Sequence, residues 1–223
     1  MKDTAKLAAA TLLQVYADID LLALELCSDR LPFAPTAGAR KELMRQIGEE
    51  IIHFSLQERT LERLGRPFTP VIGLSRRSEI KAWFSGLDWY EFLAGLQLGI
   101  EGIGIAVVER VSDQAGPLVK ESLRVPIADE HRQSSFGVRE WQALIGRATP
   151  VEREDLRRRV LGIFEEVYLL AEKSLPVPFE ECWNSLGLTK EDLWETVRER
   201  TRPRRLQTPV IEPTKPVLPP SGR

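Results

Sequence analysis

Between Phe92 and Val108 the chain reads FLAGLQLGIEGIGIAVV, and its only polar side chains are Gln97 and Glu101. A segment this apolar has to be buried. It is shorter than the roughly 20 residues that span a bilayer, and a carboxylate near its middle is costly in lipid. It is therefore predicted as a buried helix in a soluble fold, with Gln97 and Glu101 one turn apart on a single face. A lone carboxylate there costs several kcal/mol unless it is protonated or partnered, by an arginine of another helix or by a metal ion. Gly95, Gly99, Gly102 and Gly104 would let neighbouring helices approach closely.

The rest of the chain carries the same helical spacing and no alternating strand pattern. Helices are predicted over about 4–28, 39–64, 78–111 (with a break near Ser85–Gly86), 118–145, 152–174 and 190–200. Pro126 should kink the fourth or start a new segment, and Thr189 is the expected N-cap of the sixth. From Pro203 onward six prolines in 21 residues exclude a helix or a central strand. The expected architecture is all-α: a four-helix bundle over 1–147, additional helices packed on it over 148–201, and a Pro-rich extended or disordered tail over 202–223.

Lys+Arg 31 against Asp+Glu 33 leaves a net charge of −2, with no basic field to attract nucleic acid. Cys27 and Cys182 cannot form a disulfide scaffold or a four-cysteine metal site, so a reduced cytoplasm is expected. The apolar stretch AAATLLQVY near the N-terminus runs into Asp18, Asp20 and Glu25 rather than a cleavage site, so it reads as a helix and not a signal peptide or membrane anchor.

Polar residues on apolar helix faces carry the remaining information. In the first helix Thr11, Gln14, Asp18, Glu25 and Asp29 form the expected solvent stripe, whereas Asp20 falls with Leu13, Tyr16, Leu24 and Cys27 and points inward. In the second the inward stripe reads Leu43, Ile47, Glu50, His53, Gln57, Leu61 and Leu64, stacking Glu50 and His53 one turn apart. In the fourth, Glu130 lines up with Leu123, Gln133, Gly137 and Leu144. Four helices thus each present one inward carboxylate: Asp20, Glu50, Glu101 and Glu130. A pair of cations in the bundle core is the economical common cause.

This constellation resembles the ferritin-like di-iron carboxylate bundles. The resemblance is strongest to their oxygenase branch, of the phenylacetyl-CoA epoxidase, aminobenzoate N-oxygenase and ligand-binding oxidase types. The last motif of that branch reads Ile-x-x-Asp-Glu-x-x-His-x-x-Phe-Gly, and residues 127–137 here read IADEHRQSSFG, with Ile127 one place closer to the Asp-Glu pair than in the motif. Glu50-Ile51-Ile52-His53 is similar to its first Glu-x-x-His helix and Glu101-Gly102 to its third-helix ligand. The likeness covers about residues 5–145. Gln133 stands where the family has His, with His131 two places early, and Asp20 stands where the family has Glu.

The resemblance implies two iron ions, with manganese as the alternative. Asp20, Glu50 and His53 would hold one, and Glu101, Glu130 and Gln133 the other. Asp129 would accept a hydrogen bond from the His53 ring, and Tyr16 would sit behind the ligands or in plain core. The implied activity is O₂-dependent hydroxylation or N-oxygenation of a small organic substrate. An external electron donor would feed it, in a homodimer or beside a partner subunit, without nucleic acid or membrane. Alternatives are a partner subunit of the same fold whose metal binding has decayed, for which Gln133 speaks, iron oxidation, and a helical regulator built on 186–200.

Overall fold

The helical periodicity is realised along the whole described chain. The computed structural model describes residues 3–174 and, beyond them, residues 181, 184, 185, 187–189, 191, 192 and 195. Its elements are α1 (Asp3–Arg30), a 3₁₀ turn (Leu31–Phe33), α2 (Ala37–Arg63), α3 (Leu74–Ser85), α4 (Trp89–Leu93), a π-helical segment (Ala94–Ile100), α5 (Glu101–Gln114), α6 (Pro117–Arg147) and α7 (Pro150–Ser174). Among the described residues there is no strand. α1 packs chiefly on α2, α2 on α6, and α6 on α5 and the π-helical segment, while α7 covers that segment from outside. The predicted helix over 190–200 and the tail lie largely outside the described residues. The predicted cap lies within them, with Thr189 Oγ1 accepting from Asp192 N at 3.2 Å.

Local chemistry sets the ends. Thr36 caps α2, its Oγ1 accepting from Ala39 N at 3.0 Å. The other end closes through Gly65, whose φ of 73° suits glycine, with Arg66 N donating to Leu61 O and Gly65 N to Glu62 O, both at 2.9 Å. The single helix expected over 78–111 is divided. Asp88 and Glu91 form a reciprocal capping box that starts a new helix after Gly86, and the stretch before Glu101 widens into π geometry, which occurs often at functional sites. α6 runs through Pro126 without interruption. The proline removes one of its hydrogen bonds, and thirty-one residues of packed helix absorb the loss.

The expected solvent stripe of α1 is corrected. Asp18, assigned to the solvent stripe, is fully buried. Its Oδ2 accepts from Val71 N at 2.8 Å and Ile72 N at 2.6 Å, and its Oδ1 is paired with Arg77. Glu25 on the same stripe accepts from Arg77 at 3.1 Å, and Gln14 accepts from Thr69 N at 2.8 Å. Helical phase places these residues opposite the main core, but the 65–73 loop and α3 form a second layer over that face. α1 is therefore covered on both sides. That also explains its composition: Leu7–Phe33 is long and apolar enough to cross a membrane, and 67% of its most apolar window is buried inside the fold.

The apolar core comes in two parts. One gathers Leu22, Leu43, Phe92, Leu96, Phe136 and Trp141 with α7 residues. The other gathers Leu13, Tyr16, Leu61, Val108, Val119 and Leu123. Asp20, Glu50, His53, Gln57, Gln97, Glu101, Glu130 and Gln133 fall between them along their helices, and all are buried. A polar layer thus divides the core, contributed by α1, α2, the π–α5 junction and α6.

Candidate metal centre

α2 supplies the spine of this layer. Gln46, Glu50, His53 and Gln57 follow at spacings of four, three and four, which is one stripe of an α-helix. All four are buried. The expected stripe named Ile47 at this point, but Ile47 is half-buried and Gln46 takes the inward place. The phase from Leu43 through Glu50 allows either residue, and packing against α6 decides between them.

Asp20, Glu50 and His53 offer ligand atoms that all lie within 4.8 Å of one another. Among the described residues no other three or more His, Cys, Asp or Glu side chains come together in this way. The His53 ring bridges two carboxylates, Nδ1 to Glu50 Oε2 and Nε2 to Asp129 Oδ2, each at 3.2 Å. Asp129 reaches in from α6 and retains some solvent exposure. Gln57 Nε2 donates to Asp20 Oδ2 at 2.7 Å.

Electrostatics mark the layer as cation-seeking. Burial, then the charge of Glu50, push the Asp20 carboxyl well above the usual carboxylate range, against the pull of His53 and the Gln57 hydrogen bond. Burial does the same to Glu101, with Glu50 and Asp20 adding to it and the Gln46 hydrogen bond opposing it. Burial alone would lower the His53 pKa. The hydrogen bond and charge of Glu50, the charge of Asp20 and the bond to Asp129 together outweigh it and raise the value to about 9. Without a metal, imidazolium serves as the interior cation.

The other predicted ligands are placed differently. Glu101 is bonded by Gln46 Nε2 at 2.8 Å. Gln133 Nε2 donates to Glu49 Oε2 at 3.0 Å and Glu50 Oε1 at 3.2 Å. Glu130 accepts from the Tyr16 hydroxyl, and its Oε2 is buried with no hydrogen-bond partner. Burial is the sole cause that lifts the Glu130 pKa, whereas Glu101 feels Glu50, Asp20 and Glu49. Tyr16 thus meets a predicted ligand instead of packing only in core. His131 projects outward, 2.8 Å from Glu109, and does not reach the layer.

Gln46 and the Glu49 cluster were not anticipated. Glu49 is bonded by Arg45 at 2.8 Å and also by Arg132, which holds Glu42 at 2.6 Å, so a rim of ion pairs ties α2 to α6 beside the site. The sequence signal was the placement of Glu42, Arg45 and Glu49 at helical spacing, which reads equally well as a solvated face.

Tested against a divalent cation, Asp20, Glu50 and His53 fit. Two carboxylates and an imidazole suit iron or manganese, and Asp129 orients the ring from behind. Glu101, Glu130 and Gln133 do not converge with this group: Gln46 meets Glu101, the Gln133 amide turns toward Glu49 and Glu50, and Glu130 lies against Tyr16 with its Oε2 unpartnered. The chain matches no family model and no curated protein by sequence.

Proposed function

We propose that the protein is a metal-carboxylate oxidoreductase on a ferritin-like four-helix bundle formed by α1, α2, α5 with its π-helical lead-in, and α6, with α7 as an addition. The carrying observation is the Asp20–Glu50–His53 group, three ligand types within 4.8 Å in a layer that is otherwise sealed. A redox-active iron bound there would supply O₂ activation after reduction by an external electron donor, directed at hydroxylation or N-oxygenation of a small organic substrate. Glu50 Oε2 and His53 Nδ1 lie 3.2 Å apart, Asp20 joins them from α1, and Asp129 would hold the proton on His53 Nε2. The apolar clusters on either side exclude water. A buried, unpaired Cys27 suits a reducing, cytoplasmic setting.

The test is O₂ uptake by iron-loaded protein with a chemical reductant. Uptake above the protein-free rate, abolished in His53→Ala with helical circular dichroism retained, is the expected result. Iron binding without uptake would contradict the oxidoreductase reading. A second reading, a partner subunit of the same fold without activity, is favoured by one observation: Glu101 and Gln133 are already hydrogen-bonded to side-chain amides.

A further inference from the structure

We infer that this chain holds a single divalent cation, at Asp20, Glu50 and His53, and that the side-chain amide of Gln46 stands where a second cation would be. The inference rests on the metal-centre reading above. Three oxygens from three helices converge on Gln46 Nε2: Glu50 Oε1 of α2 at 3.1 Å, Glu101 Oε1 of α5 at 2.8 Å and Gln133 Oε1 of α6 at 3.2 Å. Oxygens gathered in this way in a buried layer attract a positive centre. Here an N–H₂ group occupies it and carries only partial positive charge.

The amide is locked in that orientation. Its Oε1 accepts from Gln97 Nε2. Turned over, it would set an oxygen against three oxygens and an N–H₂ against another N–H₂. Gln97 is in turn wedged against α6: a Cβ added at Gly137 would lie 2.5 Å from Gln97 Cβ. Only glycine there permits this approach.

Gln133 completes the arrangement. Its N–H₂ is directed to Glu49 and Glu50, and its oxygen to Gln46. Glu50 is consequently divided. Oε1 accepts from two amides, and Oε2 faces His53. It faces the His53 side with Oε2 alone, whereas a carboxylate that bridges two ions through both of its oxygens needs both of them free. Glu130 is engaged by Tyr16 through one oxygen only, its Oε2 has no hydrogen-bond partner, and among the described residues nothing bonds it to the Gln46 cluster.

The experiment is an anaerobic titration of the chelator-stripped full chain with Fe(II), read as bound iron per chain by elemental analysis. One ion is expected in the native protein, retained in Glu101→Gln and lost in His53→Ala. Two ions in the native protein would overturn the inference and leave the metal-centre reading standing. No ion would overturn that reading and the inference with it. One ion kept in His53→Ala but lost in Glu101→Gln would place the cation on the Gln46 side and overturn the inference. The double variant Gln46→Glu/Gln133→His restores charge and imidazole there and is expected to take a second ion. One ion in the folded double variant would count against Gln46 as the occupant.

Discussion

The two nitrogens of His53 face carboxylates on different helices, Glu50 on α2 and Asp129 on α6. Binding a cation at Nδ1 requires that nitrogen to lose its proton while Nε2 keeps one, and Asp129 is the group that holds it. Asp129→Asn can still accept from the ring through its amide oxygen but carries no negative charge, so the ring loses the basicity that the carboxylate lends it. The expected effect is a drop of about 10–100-fold in metal affinity, the range seen when such supporting carboxylates are changed. Competition with a chelating dye would measure it, with circular dichroism confirming the helices. Unchanged affinity would remove Asp129 from the account.

At the scale of elements, Asp18 shows why sequence reasoning went only so far. Periodicity identified α1, α2, α6 and α7 within a few residues, because each buries a face at 3.6-residue spacing. It also placed Asp20, Glu50, His53, Glu101 and Glu130 inward. It could not see that the 65–73 loop and α3 return to cover the far side of α1, since that contact joins residues more than fifty positions apart. Gln46 was missed for a related reason, as packing against α6 chose it over Ile47. The π geometry before Glu101 follows from hydrogen bonding that composition does not encode. The Asp18 pair makes a prediction of its own. Asp18 is fully buried and Arg77 nearly so, so Asp18→Ala removes the buried partner of Arg77, leaving it the half-buried Glu25, and frees two backbone N–H groups. Removing one partner of such a pair costs about 3–5 kcal/mol. Denaturant unfolding should show a loss of that order, with metal stoichiometry in the folded protein unchanged.

Over the whole molecule, a buried titratable layer between two apolar clusters ties stability to pH, and a metal bound there would tie it to the cation as well. In the metal-free protein the folded pKa of His53, about 9, lies above its ordinary value of 6.5. Between the two the folded state binds one more proton than the unfolded state, so stability falls as pH rises. The His53 contribution is fully present below pH 6.5 and lost on passing through about 9, at roughly 1.4 kcal/mol per pH unit. Metal binding runs the other way, because the cation competes with the His53 proton and gains affinity as pH rises. Thermal melts of chelator-treated and Mn(II)-loaded protein should therefore diverge between pH 6.5 and 9. Parallel curves would contradict the linkage.

The central claim is that Asp20, Glu50 and His53 together hold a divalent cation, and pulsed electron paramagnetic resonance of Mn(II) added to the stripped protein tests it most directly. The account predicts bound manganese with the nitrogen coupling of one directly coordinated imidazole, absent in His53→Gln. A spectrum of fully hydrated manganese, or bound manganese without that coupling, would contradict it.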